Sequence, residues 1–341
     1  MHLGHSPLCL HVIHLLCPLV VGDPLDQLRA DAQAARFDAL ASSTQRNLTT
    51  QLKAFLLFVF YFGLERFPVS EDCLILYIQF LSRCFKSPAS VKNYVIGLQT
   101  VSFLNNWNFP DLSLPHFRYQ FKGISRQLAH TTSRATPLNP IILQAILNVL
   151  DPNDPFQASC WAVMLCGFLL FARIGNLLPK SMSFDPTKQL SRSDVFVAQD
   201  CVIFSLKYTK TIQNAERVLQ VPLYIDASSP LCPKKALFNM IRLSPGIASD
   251  HLFSYRSSAG LSVITQYQFI SFLKQKLSQC GYDSSHFSGH SLRRGGASWA
   301  FAKGVSSERI KKHGDWKSSA YLVYLDFSLS DMLQTTKTML S

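Results

Sequence analysis

Acidic residues are scarce in this chain: 21 Asp and Glu stand against 33 Lys and Arg, for a formal net charge of +12. A basic surplus on a folding-competent chain fits a polyanionic partner better than an acidic one. The scarcity is complete between Leu112 and Leu150, where no Asp or Glu occurs while Arg118, Lys122, Arg126 and Arg134 do. None of the nine cysteines forms a Cys-x-x-Cys pair, and most sit among apolar neighbours. Zinc knuckles and a disulfide framework are therefore not expected, and a reduced, intracellular protein with no metal site is. There is no internal repeat, no low-complexity tract and no Lys/Arg run of the kind that announces nuclear entry. One apolar run, residues 8–21, is too short for a membrane span and is interrupted by His and Pro. It also lacks a basic start and an Ala-x-Ala cleavage site, so residues 1–22 read as a leader, disordered or artefactual, and no membrane partner is expected.

What remains is a long, well-patterned chain. Its 341 residues, 48% of them hydrophobic, suffice for about two domains with real cores. Helical spacing runs from Asp26 to Leu40. Ser42-Ser43-Thr44 offer N-caps for a helix through Phe62 that Gly63 ends, Ser70 caps a helix to Cys84, and Ser87-Pro88 start one to Leu104. In the acid-free stretch, Arg118, Lys122 and Arg126 fall at i, i+4 and i+8, stacking like charges on one helix face. That face is either simply solvated or tracks phosphates. The helical module spans 23–126, and a linker is expected at 127–136.

A second module follows over 137–341. Helices are expected at Asn139–Leu150 and Phe156–Phe171, the latter apolar enough to be buried. Strands are expected at Val195–Ala198, Cys201–Tyr208 and Val218–Tyr224, with Lys210–Glu216 as a polar turn. Helices return at Pro233–Arg242, Thr265–Cys280 and Ser291–Lys303, and a short one ends at Lys312 before Gly314. The fold class is thus mainly α with a small antiparallel sheet.

The chemistry concentrates near the C-terminus. Direct attack on a phosphodiester needs an in-line nucleophile and positive donors on the non-bridging oxygens, and the planar arginine fork suits the second task. Arg173 ends the apolar run Cys166–Ala172, where a charge must meet an anion, cap a helix or snorkel to solvent. Arg293 follows His290 by three residues, sharing a helix face with it, and Gly295, Gly296 and Ala297 let a backbone come close. Trp316 stands in Gly-Asp-Trp-Lys-Ser, where its indole N–H can donate to a phosphoryl oxygen. Tyr324 offers a phenol for attack, or else packs as an aromatic of a terminal helix, and Tyr321 is the rival one turn away. Lys210 lies at a hairpin tip, either solvated or able to protonate a departing 5′ oxygen, with Lys207 the weaker alternative.

These residues together resemble the tyrosine recombinases of the phage integrase type, and in particular the eukaryotic transposon-derived Crypton and DIRS-type branch, in which Gly-x-Trp-x-Ser precedes the tyrosine. The resemblance covers roughly residues 40–330. It implies a helical DNA core-binding domain over 23–126 joined to a catalytic domain over 137–341. It also implies catalytic roles for Arg173, Lys210, His290, Arg293, Trp316 and Tyr324, and DNA contacts from Arg118, Lys122, Arg126, Arg134 and Arg294. The implied reaction cuts and rejoins DNA through a 3′-phosphotyrosyl link without cofactor or metal. Double-stranded DNA is the implied partner, with dimers or tetramers assembled on it, and the nucleus is the implied compartment. One position departs from the pattern: the acidic residue common three positions after the first arginine is Asn176 here. Two other functions on the same fold stay open, a domesticated, non-catalytic DNA-binding protein and a relaxing enzyme akin to type IB topoisomerases.

Overall fold

Side-chain caps and apolar spacing set the helices of both halves of the chain. The computed structural model describes residues 24–128, 134–209, 212, 216–324, 333, 337 and 339. The chain divides into two units, 1–132 and 133–341.

In the first unit the helices are α1 (Pro24–Asp38), α2 (Ser42–Phe62), α3 (Glu71–Cys84), α4 (Pro88–Leu104) and α5 (Pro115–Leu128). Gly63 closes α2 in the left-handed conformation (φ 66°), its N–H reaching Phe60 and Val59. The N-cap of α2 is Ala41, so Ser42, Ser43 and Thr44 lie inside its first turn instead of before it. Ser70 caps α3 as expected, accepting from the Cys73 N–H. A core of Phe55, Leu74, Tyr77, Ile78, Val91, Leu98 and Phe117 joins α2 to α5, with Phe55 and Tyr77 edge to face at 5.1 Å. Because α5 turns Phe117 and Ile124 inward, Arg118, Lys122 and Arg126 are all exposed. The helix continues through Leu128, beyond the expected start of the linker, and residues 129–133 lie outside the described residues.

The second unit is organised by one helix that is apolar all round. Asn139 caps α6 (Pro140–Asn148), and Asp154 caps α7 (Pro155–Leu169) by accepting from the N–H groups of Phe156 and Gln157. Every residue of α7 from Ala158 to Phe168 is buried, which makes it the axis of the core. It stops at Leu169, two residues before the expected end, because Phe171 turns left-handed (φ 48°). Ala172 N–H then closes back on the Gly167 carbonyl at 3.0 Å. A single turn, α8 (Ile174–Leu177), follows.

The strands β1 (Val195–Val197), β2 (Cys201–Leu206) and β3 (Leu219–Tyr224) form an antiparallel sheet in the order β1-β2-β3. Val202, Phe204 and Leu206 alternate inward on β2, opposite Leu223, Val221 and Leu219. A second hairpin, β4 (Ser254–Ser257) and β5 (Gly260–Val263), lacks that alternation in its serine-rich sequence and was not anticipated. It follows α9 (Pro233–Leu243) and precedes α10 (Gln266–Gln279), whose Thr265–Gln268 capping box is complete. Two further helices, α11 (His290–Ala302) and α12 (Ser307–His313), lead to a 3-10 segment at Ser319–Tyr324. Among the described residues no helix is long and apolar enough to cross a membrane.

His251 is 2% exposed, its ring lies 5.0 Å from that of Phe184, and the Phe253 N–H donates to its Nδ1 at 3.1 Å. Burial pushes its pKa down to about 4. The unfolded chain takes up that proton near pH 6.5 while the folded chain resists it, so stability falls as pH drops from about 6.5 to about 4. The expected loss is about 3 kcal/mol. Urea midpoints measured across this range should fall steeply in the native chain and more gently in His251→Gln.

Candidate active site

The left-handed turn at Phe171 does more than end α7: it aims a main-chain carbonyl at α11. Arg293, 2% exposed, donates from Nη1 to the Phe171 carbonyl and from Nη2 to the Gly314 carbonyl at 2.9 Å. Its flat face lies on the Trp316 ring, 3.7 Å from guanidinium carbon to centroid. The guanidinium is thus held on two edges and one face. Its buried Nε has no hydrogen-bond partner.

Glycines make this geometry possible. A Cβ at Gly295 would overlap the backbone of Leu138, and one at Gly296 would overlap the Phe168 carbonyl and the Phe171 ring. The close backbone approach expected at this pair is made by the protein's own chain. Gly314 is under the same constraint, since a side chain there would occupy the Trp316 ring position. Asp315, between Gly314 and Trp316, is left-handed (φ 52°), a conformation Asp and Asn tolerate best among non-glycine residues.

Electrostatics around Arg293 are one-sided. Its pKa is lowered to about 9, first by burial and then by the positive field of Arg173, and is partly restored by Tyr324 and Asp315. At neutral pH it remains charged. His290 opens α11 and is pushed below the ordinary histidine value by partial burial, then by Arg173 and Arg293, so it is neutral near pH 7. Arg173 sits as the N-cap residue of α8, beyond the turn and not at the end of the buried helix where the apolar run had placed it. Among the described residues no carboxylate forms an ion pair with Arg173 or Arg293. Three nitrogen-bearing side chains therefore share a field that an anion would relieve.

The two tyrosines separate by burial. Tyr321 is 8% exposed and packs with Phe171, Ala297, Ile310 and Trp316. Tyr324 is half-buried at the end of the 3-10 segment, its ring 5.8 Å from that of Trp316 and its phenol near enough to Arg293 to raise that group's pKa. The Ser298 hydroxyl donates to the Tyr324 carbonyl, fixing the backbone at that point. Tyr324, His290, Arg294 and Arg134 line an open cleft of about 450 Å3. Arg134 reaches the Val323 carbonyl at 3.5 Å, and Arg294 holds the Ala135 carbonyl at 3.0 Å, so both buttress the cleft wall.

Lys210 and most of the predicted turn lie outside the described residues. Lys207 is engaged by the buried carboxylate of Asp194 at 2.6 Å. Asn176 donates its N–H to the Arg173 carbonyl at 2.8 Å, closing the α8 turn through its backbone. Three contributors escaped sequence reasoning. His313 sets its Nε2 2.7 Å from the Leu169 carbonyl and packs on Phe171 at 4.6 Å, while Asp315 pairs with Arg217 at 2.5 Å. The only advance signal for any of them was Asp315's place between a glycine and the tryptophan.

A scan against protein-family models finds no match, and no curated protein matches the chain. Solved structures do. The integrase of transposon Tn1549, in complex with circular intermediate DNA, aligns with TM-score 0.61 at 13% identity, covering 92% of this chain and 99% of that one. The XerH site-specific recombinase, bound to palindromic difH substrate in a post-cleavage complex, aligns at 0.57 and 15%, covering 80% and 71%. A lambda integrase dimer bound to a COC′ core site aligns at 0.52 and 15%, covering 95% and 81%. At such identities the likeness is one of fold, and the fold is that of the tyrosine recombinase catalytic domains.

The glycine constraint is testable without any substrate. Gly296→Ala should lower stability by about 1–3 kcal/mol through overpacking against Phe168 and Phe171. Gly123→Ala in α5, where a Cβ meets open space, should be neutral or stabilising by up to about 1 kcal/mol. Thermal unfolding of the two variants gives the comparison.

Proposed function

We propose that this chain is a DNA recombinase or integrase that cuts and rejoins strands through Tyr324, and that it represents the Crypton and DIRS-type branch. The observation that carries the reading is the grouping of five side chains: Trp316 lies on Arg293 and beside Tyr324, the field of Arg173 acts on both Arg293 and His290, and His290 and Tyr324 line one cleft. A scissile phosphate in that cleft would receive Arg173 and Arg293 on its non-bridging oxygens, where charge builds as phosphorus is attacked. Trp316 lies flat on the Arg293 guanidinium, whose planar fork would orient the anion.

The Tyr324 hydroxyl oxygen attacks phosphorus, the bond from phosphorus to O5′ breaks, and a 3′-phosphotyrosyl link forms. The phenolic proton passes to a base, for which neutral His290 in the same cleft is suited. The departing O5′ gains a proton and leaves as a free hydroxyl, with Lys210 as the proposed donor. Attack by a second strand's 5′ hydroxyl on the phosphotyrosine reverses each transfer, so the bond energy is conserved and no external energy source enters. The α5 cations Arg118, Lys122 and Arg126, with Arg134 and Arg294, are the proposed backbone contacts on double-stranded DNA. Binding of that DNA by a dimer or tetramer, in keeping with the lambda integrase dimer bound to a COC′ core site, and action in the nucleus belong to the same reading.

Asn176, which cannot supply the charge an acid would, favours the alternative of a non-catalytic DNA-binding protein on the same fold. A nicked suicide duplex separates the two. The native chain and Tyr321→Phe should trap a covalent complex on denaturing gels and Tyr324→Phe should not; absence of complex in the native chain rejects the recombinase. Strand exchange between two duplexes, as against relaxation of a supercoil alone, then distinguishes it from a type IB relaxing enzyme.

The α5 face makes a separate, quantitative claim. Each phosphate neutralised contributes about 0.9 to the slope of log affinity against log salt. Replacing Arg118, Lys122 and Arg126 by Gln should therefore flatten that slope by up to about 3, read by fluorescence anisotropy on duplex DNA at several salt concentrations.

A further inference from the structure

His313 has no part in the reaction above, yet it touches both ends of the clamp that Phe171, Gly314 and Trp316 form on Arg293. As the last residue of α12, it immediately precedes Gly314, whose carbonyl accepts from Arg293 Nη2. Its side chain crosses to the end of α7. There Nε2 lies 2.7 Å from the Leu169 carbonyl, and the ring packs on Phe171 at 4.6 Å. Phe171 carries the other carbonyl that accepts from Arg293, so one residue spans both jaws.

The end of α7 leaves one carbonyl for the imidazole to satisfy. Those of Cys166, Gly167 and Phe168 accept from the N–H groups of Leu170, Ala172 and Phe171. The Leu169 carbonyl takes its hydrogen bond from His313, a side-chain partner of the kind that the last carbonyls of a helix need. Because a carbonyl only accepts, Nε2 carries the ring proton. Burial pushes the His313 pKa below the ordinary histidine value, against a smaller upward pull from this hydrogen bond. At neutral pH the ring therefore has one N–H, and Leu169 receives it. Two residues further on, Phe171 is left-handed at φ 48°, a conformation that a bulky side chain keeps only where its surroundings over-determine it. The hydrogen bond to Leu169 and the imidazole against the Phe171 ring both bear on that turn.

We infer that His313 is a positioning residue for Arg293: by tying the end of α12 to the end of α7, it sets the spacing of the Phe171 and Gly314 carbonyls and hence the direction in which the guanidinium meets the scissile phosphate. That role rests on the reading that Tyr324 cleaves DNA, and it involves no contact between His313 and substrate. Without the Nε2–H, the Leu169 carbonyl is unanswered and the Phe171 turn relaxes. The Phe171 carbonyl then leaves Arg293 Nη1, while Gly314 keeps its hold on Nη2.

Variants of His313 separate its ring from its N–H. His313→Phe keeps an aromatic against Phe171 and removes the donor, whereas His313→Gln offers an amide N–H at about the reach of Nε2. His313→Asn is one methylene shorter than Gln and cannot reach Leu169; it replaces the Phe variant if melting followed by circular dichroism shows that one unfolded. Two measurements are made on the full chain. The first needs no DNA: in a nuclear magnetic resonance spectrum of isotopically labelled arginine, a guanidinium held on both edges gives separate Nη signals, assigned by their loss in Arg293→Lys. Those signals should merge in His313→Phe, as the guanidinium rotates, and stay separate in His313→Gln. The second is covalent-complex formation on the nicked suicide duplex. His313→Phe should slow it by about a hundred-fold, the order expected when a reacting group is misplaced by about an ångström, and His313→Gln should run near the native rate. Separate Nη signals in folded His313→Phe, or a native rate there, would overturn the inference. It would also be overturned if His313→Gln behaved like His313→Phe, which would leave the imidazole a packing group. If the native chain forms no complex, the recombinase reading falls and the catalytic consequence with it, while the Nη signals still decide whether His313 holds Arg293.

Discussion

Burying Arg293 is the constraint from which the second unit is built. A guanidinium removed from water must recover its hydrogen bonds and balance its charge inside the protein. Here the hydrogen bonds come from two main-chain carbonyls, at Phe171 and Gly314, and the balance comes from an indole face and a distant carboxylate. Each acceptor requires a particular backbone event: a left-handed reversal at Phe171 and a glycine packed on Trp316. The end of α7, the glycine pair of α11 and the loop after α12 are consequences of one buried cation.

The surrounding core keeps those events in register. Because α7 is buried from Ala158 to Phe168, its C-terminal end is fixed by contacts on every side. His313 adds a hydrogen bond to Leu169 in the last turn of α7 and a ring against Phe171. Tyr321 packs against Trp316, so the aromatic three residues before Tyr324 supports the clamp. Tyr324 itself is pinned through its backbone by Ser298 while its side chain stays half-buried at the cleft. A rigid main chain carrying an accessible phenol is what an in-line displacement requires.

Much of this was legible in the sequence, and for identifiable reasons. The helices of the first unit announce themselves through Gly63, Ser70 and Pro88, since caps and stops are local chemistry. The β1–β3 sheet shows in the alternation of Val202, Phe204 and Leu206. The hairpin of β4 and β5 does not, because serine and glycine carry no period and its stability comes from neighbours distant in sequence. Arg293, His290, Trp316 and Tyr324 stood out by type and spacing. Asp315 and Arg217 did not, because an ion pair between residues on separate loops leaves no local pattern. Asn176 looked like a lost acid, and only the three-dimensional arrangement brings Asp315 into view as another carboxylate near the arginines.

The two carbonyls that hold Arg293 have a further consequence for how this protein tolerates change. A hydrogen bond to a side chain vanishes when that residue is replaced, whereas a main-chain carbonyl is present whatever residue occupies the position. Substitutions at Phe171 therefore leave its acceptor in place so long as the turn survives. A one-residue insertion or deletion between Leu169 and Arg173, or between His313 and Trp316, re-aims the carbonyl and releases the guanidinium. In descendants of this chain, length in these two short segments should be held more strictly than composition.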